Sequence, residues 1–196
     1  MPNMYIISGC NGSGKTTASY TLLPEMLECS QFVNSDEFAK SLSPFNPSEA
    51  SVSASRYMLQ KIYYLLENHL DFCVETTLAT RSLLGIINEA KSRGYSITIL
   101  YFWLKSPEMA IQRVRNRVAA GGHNIPEDVV RRRYYMGLNY FFETYAHICE
   151  RWMLIDNSTD PFTVVAEGNP ELANIKDREK FDIIHKLAYP DENKQQ

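Results

Sequence analysis

Eight residues near the start of the chain, Gly9-Cys10-Asn11-Gly12-Ser13-Gly14-Lys15-Thr16, have the types and spacing needed to hold a nucleotide's phosphates. Glycines at the first and sixth positions let backbone N–H groups turn inward around an anion. A helix that starts at the end of the loop adds partial positive charge, and the Lys15 ammonium can reach the β- and γ-phosphate oxygens. The Thr16 hydroxyl is placed to ligate Mg²⁺, and Thr17 follows it at the mouth of the helix. The pattern is the Walker A signature, and it predicts binding of ATP with Mg²⁺. Cys10 and Asn11 fill its unconstrained positions, and no chemistry is assigned to the Cys10 thiol.

Two acids extend this chemistry. The segment Phe32-Val33-Asn34-Ser35-Asp36 ends a short apolar run on a carboxylate, and Phe72-Cys73-Val74-Glu75 ends another. A carboxylate beside the transferred phosphoryl group can orient and deprotonate an attacking hydroxyl or hold a metal-bound water, and Asp36 is the candidate. The competing reading makes Ser35 or Asp36 only the cap of a short helix over 37–42. Neither Val74-Glu75 nor Leu154-Ile155-Asp156 gives the usual Walker B strand ending in Asp without qualification, which favours a kinase over a motor or switch.

A third group is basic. Arg113, Arg115 and Arg117 precede Gly121-Gly122, and Arg131, Arg132 and Arg133 follow it, so a lid of two hinged helices over about 113–133 is expected. Ile111, Val114 and Val118 form the apolar stripe of the first helix, with Arg115 and Arg117 on its flanks and Arg113 further round. Val130, Tyr134, Leu138, Phe141, Tyr145 and Ile148 form that of the second, flanked by Arg131 and Arg133, with Arg132 facing away. Forked guanidinium donors turned into a cleft could neutralise charge on a transferring phosphoryl group. The plainer reading is two solvated helix faces, with Glu127 and Asp128 pairing the second cluster at i, i+4. His123 lies at the hinge, where a local hydrogen-bonding role competes with a phosphate contact.

These residues need elements to position them. Met4 to Ser8 reads as a strand running into the glycine loop, and a helix follows Lys15 as far as Pro24 and Glu25. Further strands are expected at 31–34, 72–75, 96–104 and 152–155; the run Ile97 to Trp103 is apolar on both faces, as a strand covered on both sides must be. Helices are expected from Asn46-Pro47-Ser48-Glu49 to about His69, from Thr80 to Arg93, from Ser106-Pro107 and from Pro126-Glu127. Alternation of this kind implies βαβ units: an α/β P-loop fold with a parallel, five-stranded, doubly wound sheet and a helical lid. The segment from Phe162 onward is expected to add an edge strand and a helix over 178–187, closing one domain over 1–190 before a polar tail at 191–196.

Bulk composition narrows the classes. The 196 residues are 44% hydrophobic with a net charge of −3, which suits one packed domain and gives no bulk attraction to nucleic acid. The aromatic stretch from Tyr134 to Tyr145 has helical spacing and reads as core rather than as a base-stacking platform. Four cysteines without a C-x-x-C pair suggest buried thiols, not zinc or disulfides. With no apolar run of about 18 residues and no basic leader, the expected location is the cytoplasm, away from membranes.

The phosphate loop, Phe32-Val33-Asn34-Ser35-Asp36-Glu37-Phe38, Val74-Glu75-Thr76-Thr77 and the segment from Gly121 to Arg133 together resemble the zeta-toxin family and its predicted-ATPase relatives, over Met4 to about Asn157. The resemblance implies a P-loop kinase that phosphorylates a hydroxyl of a sugar nucleotide, UDP-N-acetylglucosamine for zeta toxins proper, with ATP and Mg²⁺. It implies Asp36 as general base, Lys15 as the phosphate-loop lysine, Glu75 and Thr77 as substrate contacts and, together with its helix flank, Arg117 as a catalytic lid arginine; Arg133, on the flank of the second lid helix, is the candidate for a nucleotide contact. It also implies an antitoxin partner for those members that are toxins. Ala79 stands where the toxins carry an arginine, with Arg81 two residues on as a substitute, and Leu59 falls about where they carry a glutamate. Both departures touch the substrate pocket and not the nucleotide grip. An ATPase or nucleotide-gated interaction module is the competing function.

Overall fold

The computed structural model describes residues 1–25, 27–43, 51–122 and 124–189. The expected helix start at Asn46 to Glu49, His123 and the tail at 191–196 lie outside the described residues.

Among the described residues the sheet has seven strands in the order β2-β3-β1-β4-β5-β6-β7. These are β1 (Asn3–Ser8), β2 (Phe32–Val33), β3 (Phe72–Thr76), β4 (Ser96–Trp103), β5 (Arg151–Asp156), β6 (Thr163–Gly168) and β7 (Ala173–Ile175). The five expected strands, β1 to β5, pair in parallel. Where one edge strand was expected after Phe162, two, β6 and β7, add to them antiparallel, so the sheet is mixed at that edge. The reason is connection length: a short link from β5 to β6 turns the chain straight back, whereas a parallel neighbour needs a crossover of a dozen residues or more.

The helices are α1 (Lys15–Glu25), α2 (Ser35–Leu42), α3 (Ser51–Glu67), α4 (Leu83–Ser92), α5 (Pro107–Ala119), α6 (Glu127–Tyr140), α7 (Ala146–Ile148) and α8 (Arg178–Ala188). α5 begins as its sequence requires: Ser106 Oγ accepts the Met109 N–H, and Pro107 occupies the first turn, where its missing donor costs nothing. A single π-helical turn, Phe141–Tyr145, separates α6 from α7. It keeps Phe141 and Tyr145 buried and leaves Ile148, the last residue of the expected stripe, half-buried.

Central β4 contributes Ile97, Ile99, Leu100, Tyr101, Phe102 and Trp103 to the core, all buried. The helix-rich side of that core fixes the site. Tyr134 on α6 donates to the Leu104 carbonyl at 2.7 Å, and Tyr145 donates to the Thr80 carbonyl at 2.7 Å. Gly137 makes the approach possible, because a Cβ there would lie 2.5 Å from the Thr77 carbonyl oxygen and 3.1 Å from the Tyr101 hydroxyl. Since the obstacle is backbone, Gly137→Ala must push α6 off the end of β3. Overpacking of that kind costs about 1 to 3 kcal/mol, so urea denaturation should show a lower midpoint with an unchanged slope. A midpoint equal to wild type would mean that α6 does not bear on the Thr77 loop.

Candidate active site

Parallel strands end on the same edge of a sheet, and here that edge collects the chemistry. β1 runs into the phosphate loop, β2 into Asn34 and Asp36, β3 into Glu75, and β5 into Asp156 and Asn157. Between them lies a cleft of about 660 Å³, bordered by Asn11, Gly12, Gly14, Lys15, Thr16, Thr17, Asp36, Glu75, Arg113 and Arg117 and closed on its far side by Asn157 to Asp160 and Phe162.

The loop is built for close backbone approach. Gly9, Gly12 and Gly14 have φ of 138°, 83° and 88°, values that side chains disfavour. A Cβ on Gly9 would sit 2.2 Å from the Phe102 carbonyl oxygen. Cys10 and Ser13 are buried with Gly9 beneath the cleft floor; burial pushes the Cys10 thiol up to about 11, which leaves it protonated and inert at neutral pH.

Lys15 is buried, and its ammonium donates to the Cys10 carbonyl at 2.8 Å. Burial depresses its pKa, and the opposing charge of Glu75 works against that fall. Glu75 shows the mirror image: burial raises its pKa, while Lys15 and the Thr16 hydroxyl pull it down. Thr16 Oγ1 lies 2.8 and 3.1 Å from the two Glu75 carboxylate oxygens. β3, not β2, is the strand paired beside β1, so the acid on the strand next to the phosphate loop is Glu75, one residue before β3 ends, and Asp36 lies one strand further out. A hydroxyl and a carboxylate in contact are hard oxygen donors that suit Mg²⁺, an ion that keeps several waters and takes few protein ligands. Among the described residues there is no group of three His, Cys, Asp or Glu that could form a closed metal cage.

Asp36 lies across the cleft at the first turn of α2, exposed. The cap of α2 is neither Ser35 nor Asp36. Asn34 supplies it, accepting the Asp36 N–H at 2.8 Å, so the Asp36 carboxylate is not consumed by capping.

The arginines divide differently from their expected facing. Arg113, expected further round its helix, turns into the cleft and donates to the Asn157 carbonyl at 2.9 Å. Arg117 also borders the cleft. Arg115 instead pairs with Glu127, and Arg131 with Glu108, so the helix pair is laced across its seam and not by i, i+4 pairs along α6. Arg133 donates to Asn11 Oδ1 at 3.0 Å, and Arg132 is exposed. Of the other expected contacts, Arg81 lies over the Tyr140 ring at 5.4 Å, and neither it nor Thr77 borders the cleft. Leu78, between them in the segment after β3, has a φ of 56°.

Sequence reasoning passed over Asn157. Its Nδ2 donates to the Ser13 carbonyl at 2.7 Å, tying the loop after β5 to the phosphate loop. That loop is steadied in turn by Asp156, which accepts the Ser158 N–H at 2.9 Å and pairs with Lys180 of α8 at 3.0 Å. An Asp-Asn pair ending an apolar strand was the available signal.

A family model described as Zeta toxin matches residues 1–160. The chain belongs to the zeta-toxin family. An uncharacterized protein of Haemophilus influenzae is 33% identical over 127 residues, 64% of this chain and 88% of that protein. Among solved structures, AvrRxo1-ORF1:AvrRxo1-ORF2 with sulphate ions overlays with a TM-score of 0.78 at 16% identity, over 97% of this chain and 65% of that one. The same complex with ATP gives 0.75 at 16% identity, over 97% and 64%. This zeta-toxin family chain thus spans about 65% of the AvrRxo1 chain's length. The PezAT chromosomal toxin-antitoxin system of Streptococcus pneumoniae overlays at 0.66 and 16% identity, over 95% and 78%. Identities this low report a shared fold and no more. Among the described residues no helix is long and apolar enough to cross a membrane.

The opposed shifts of Lys15 and Glu75 make a direct test of the site's electrostatics. In Lys15→Met the cation that holds the Glu75 carboxyl down is gone, so the Glu75 side-chain carbon should titrate at higher pH than in wild type when followed by NMR. A midpoint that stays put or falls would show that the two groups are not coupled.

Proposed function

We propose that this zeta-toxin family member is an ATP-dependent kinase that phosphorylates a hydroxyl of a small metabolite. The observation that carries the reading is the placement of Asp36 and Glu75 on one cleft with Lys15, Thr16 and Arg117. Mere nucleotide binding has no use for two carboxylates beside the phosphate loop, whereas phosphoryl transfer does.

In this reading Gly9 to Thr17 cradle the ATP phosphates, Lys15 balances the β- and γ-phosphates, and Arg133 holds the loop through Asn11. The nucleoside lies toward Arg113, Asn157 and Phe162. Thr16 and Glu75 would hold Mg²⁺, which supplies positive charge against the phosphate oxygens. Asp36 orients the acceptor hydroxyl and takes its proton as the oxygen attacks the γ-phosphorus, the bond from that phosphorus to the β,γ-bridging oxygen breaks, and ADP leaves. Arg117 stabilises the charge that spreads over the phosphoryl oxygens in the transition state. Its reliance on ATP suits a cytoplasmic enzyme.

A sugar nucleotide such as UDP-N-acetylglucosamine is the first acceptor to try, on family membership. Ala79, Leu59 and the engagement of Arg81 with Tyr140 leave the acceptor side without the charged groups of the toxins, which favours a less polar or differently charged substrate. An antitoxin that covers the nucleotide cleft is the partner this family reading adds. ATP turnover measured with and without a panel of UDP-sugars, with mass analysis of the acceptors, tests the proposal. ADP release that responds to no acceptor would favour the interaction-module reading.

Two substitutions separate the roles. Asp36→Asn should slow transfer by about 10² or more, the usual worth of a general base, with nucleotide affinity kept. Lost ATP binding with normal turnover per bound nucleotide would make Asp36 a metal or structural residue. Arg117→Ala should lower the rate constant while barely changing the ATP Kd, and lysine should rescue poorly because it lacks the fork. Exposed Arg132→Ala is the control and should be near neutral in both quantities. An Arg132 effect as large as that of Arg117 would overturn the assignment of the cleft arginines.

A further inference from the structure

Asn34 stands between the two acids of the cleft, and no role has been given to it beyond a helix cap. It is 6% exposed, an unusual place for a carboxamide unless both of its ends are satisfied. Its Oδ1 accepts the Asp36 N–H at 2.8 Å. That bond decides the orientation of the amide, because the oxygen is its sole acceptor and the NH₂ group must then face the other way. The other way is Glu75. β2 pairs in parallel with β3 through Val33 and Val74, so the next residues along, Asn34 and Glu75, leave the two strand ends side by side. That places the carboxamide NH₂ group beside the Glu75 carboxylate, one strand spacing away.

We propose that Asn34 is a positioning residue that couples the two acids, its oxygen holding the Asp36 backbone and its NH₂ group holding the Glu75 carboxylate. The inference rests on the kinase reading for its consequence, not for its geometry. It also explains the residue type. Aspartate or serine would cap α2 as well as asparagine does, but aspartate would set a like charge against Glu75, and serine would have to serve both partners from the single atom of a shorter side chain. The amide offers an acceptor to one partner and a separate donor atom to the other.

Cap-retaining variants therefore distinguish positioning from stability. In Asn34→Ser the α2 cap survives with no new charge, so the thermal midpoint should stay close to wild type and the Asp36 amide should remain protected from hydrogen exchange; Asn34→Asp keeps the cap but sets a like charge against Glu75, so its midpoint should fall as that charge forms. Turnover should nevertheless fall tenfold or more while the ATP Kd stays within about twofold, since the lost contact aligns Glu75 and not the nucleotide. Wild-type turnover in both variants overturns the proposal. Failure of the kinase reading shows separately, as a wild-type protein that transfers no phosphoryl group to any acceptor. In that event the Asn34 side-chain NH₂ signals decide: slow solvent exchange that disappears in Glu75→Ala supports the coupling, and exchange unaffected by that change overturns it.

Discussion

A protonated amine buried at the foot of α1 is the constraint on which the site depends. Lys15 gives up its hydration and receives a carbonyl from its own loop together with the field of Glu75 from the neighbouring strand. An ammonium withdrawn from water in this way is under-compensated, and the cleft above it is correspondingly attractive to a polyanion. The three positive-φ glycines of the loop, the close stacking of Gly9 on the Phe102 carbonyl and the Asn157 bond to Ser13 all keep that amine facing the cleft.

The strand order carries this local arrangement outward. Because β3 lies between β1 and β2, the acid near its end meets the phosphate-loop threonine on one side and the end of β2 on the other. On the opposite side of β1, β4 and β5 bring the Asn157 loop against Arg113. One cleft at this sheet edge is thereby lined by the glycine-rich loop, two carboxylates and the two α5 arginines, Arg113 and Arg117. α8 joins through the Asp156–Lys180 pair, which links the segment beyond the family match to the Asn157 side of the cleft.

Much of this was legible in the chain itself. The phosphate loop declares itself because its glycines, lysine and threonine answer short-range demands that depend only on neighbours in sequence. The strand and helix alternation, the Ser106-Pro107 helix start and the stripe of α6 are local in the same sense, and each appears where it was expected. Asp36, Glu75 and Arg117 were found as candidates because strand ends and helix flanks can be counted.

What the sequence could not determine were the partners chosen across the fold. Asn34 rather than Ser35 or Asp36 caps α2, because the direction in which the chain leaves β2 selects the capping oxygen. Arg113 enters the cleft although its place on the helix pointed elsewhere, because a long, flexible side chain goes to the carbonyl that the β5 loop presents. Glu127 and Glu108 bridge two helices whose separation no spacing rule contains. The antiparallel return of β6 and the drift of Arg81 onto Tyr140 likewise follow from chain reversals and packing. Residue types and local spacing state which groups are able to do the chemistry, while only long-range packing decides which of them meet, since side-chain contacts between distant segments are set by the energy of the whole core and not by any one stretch of chain.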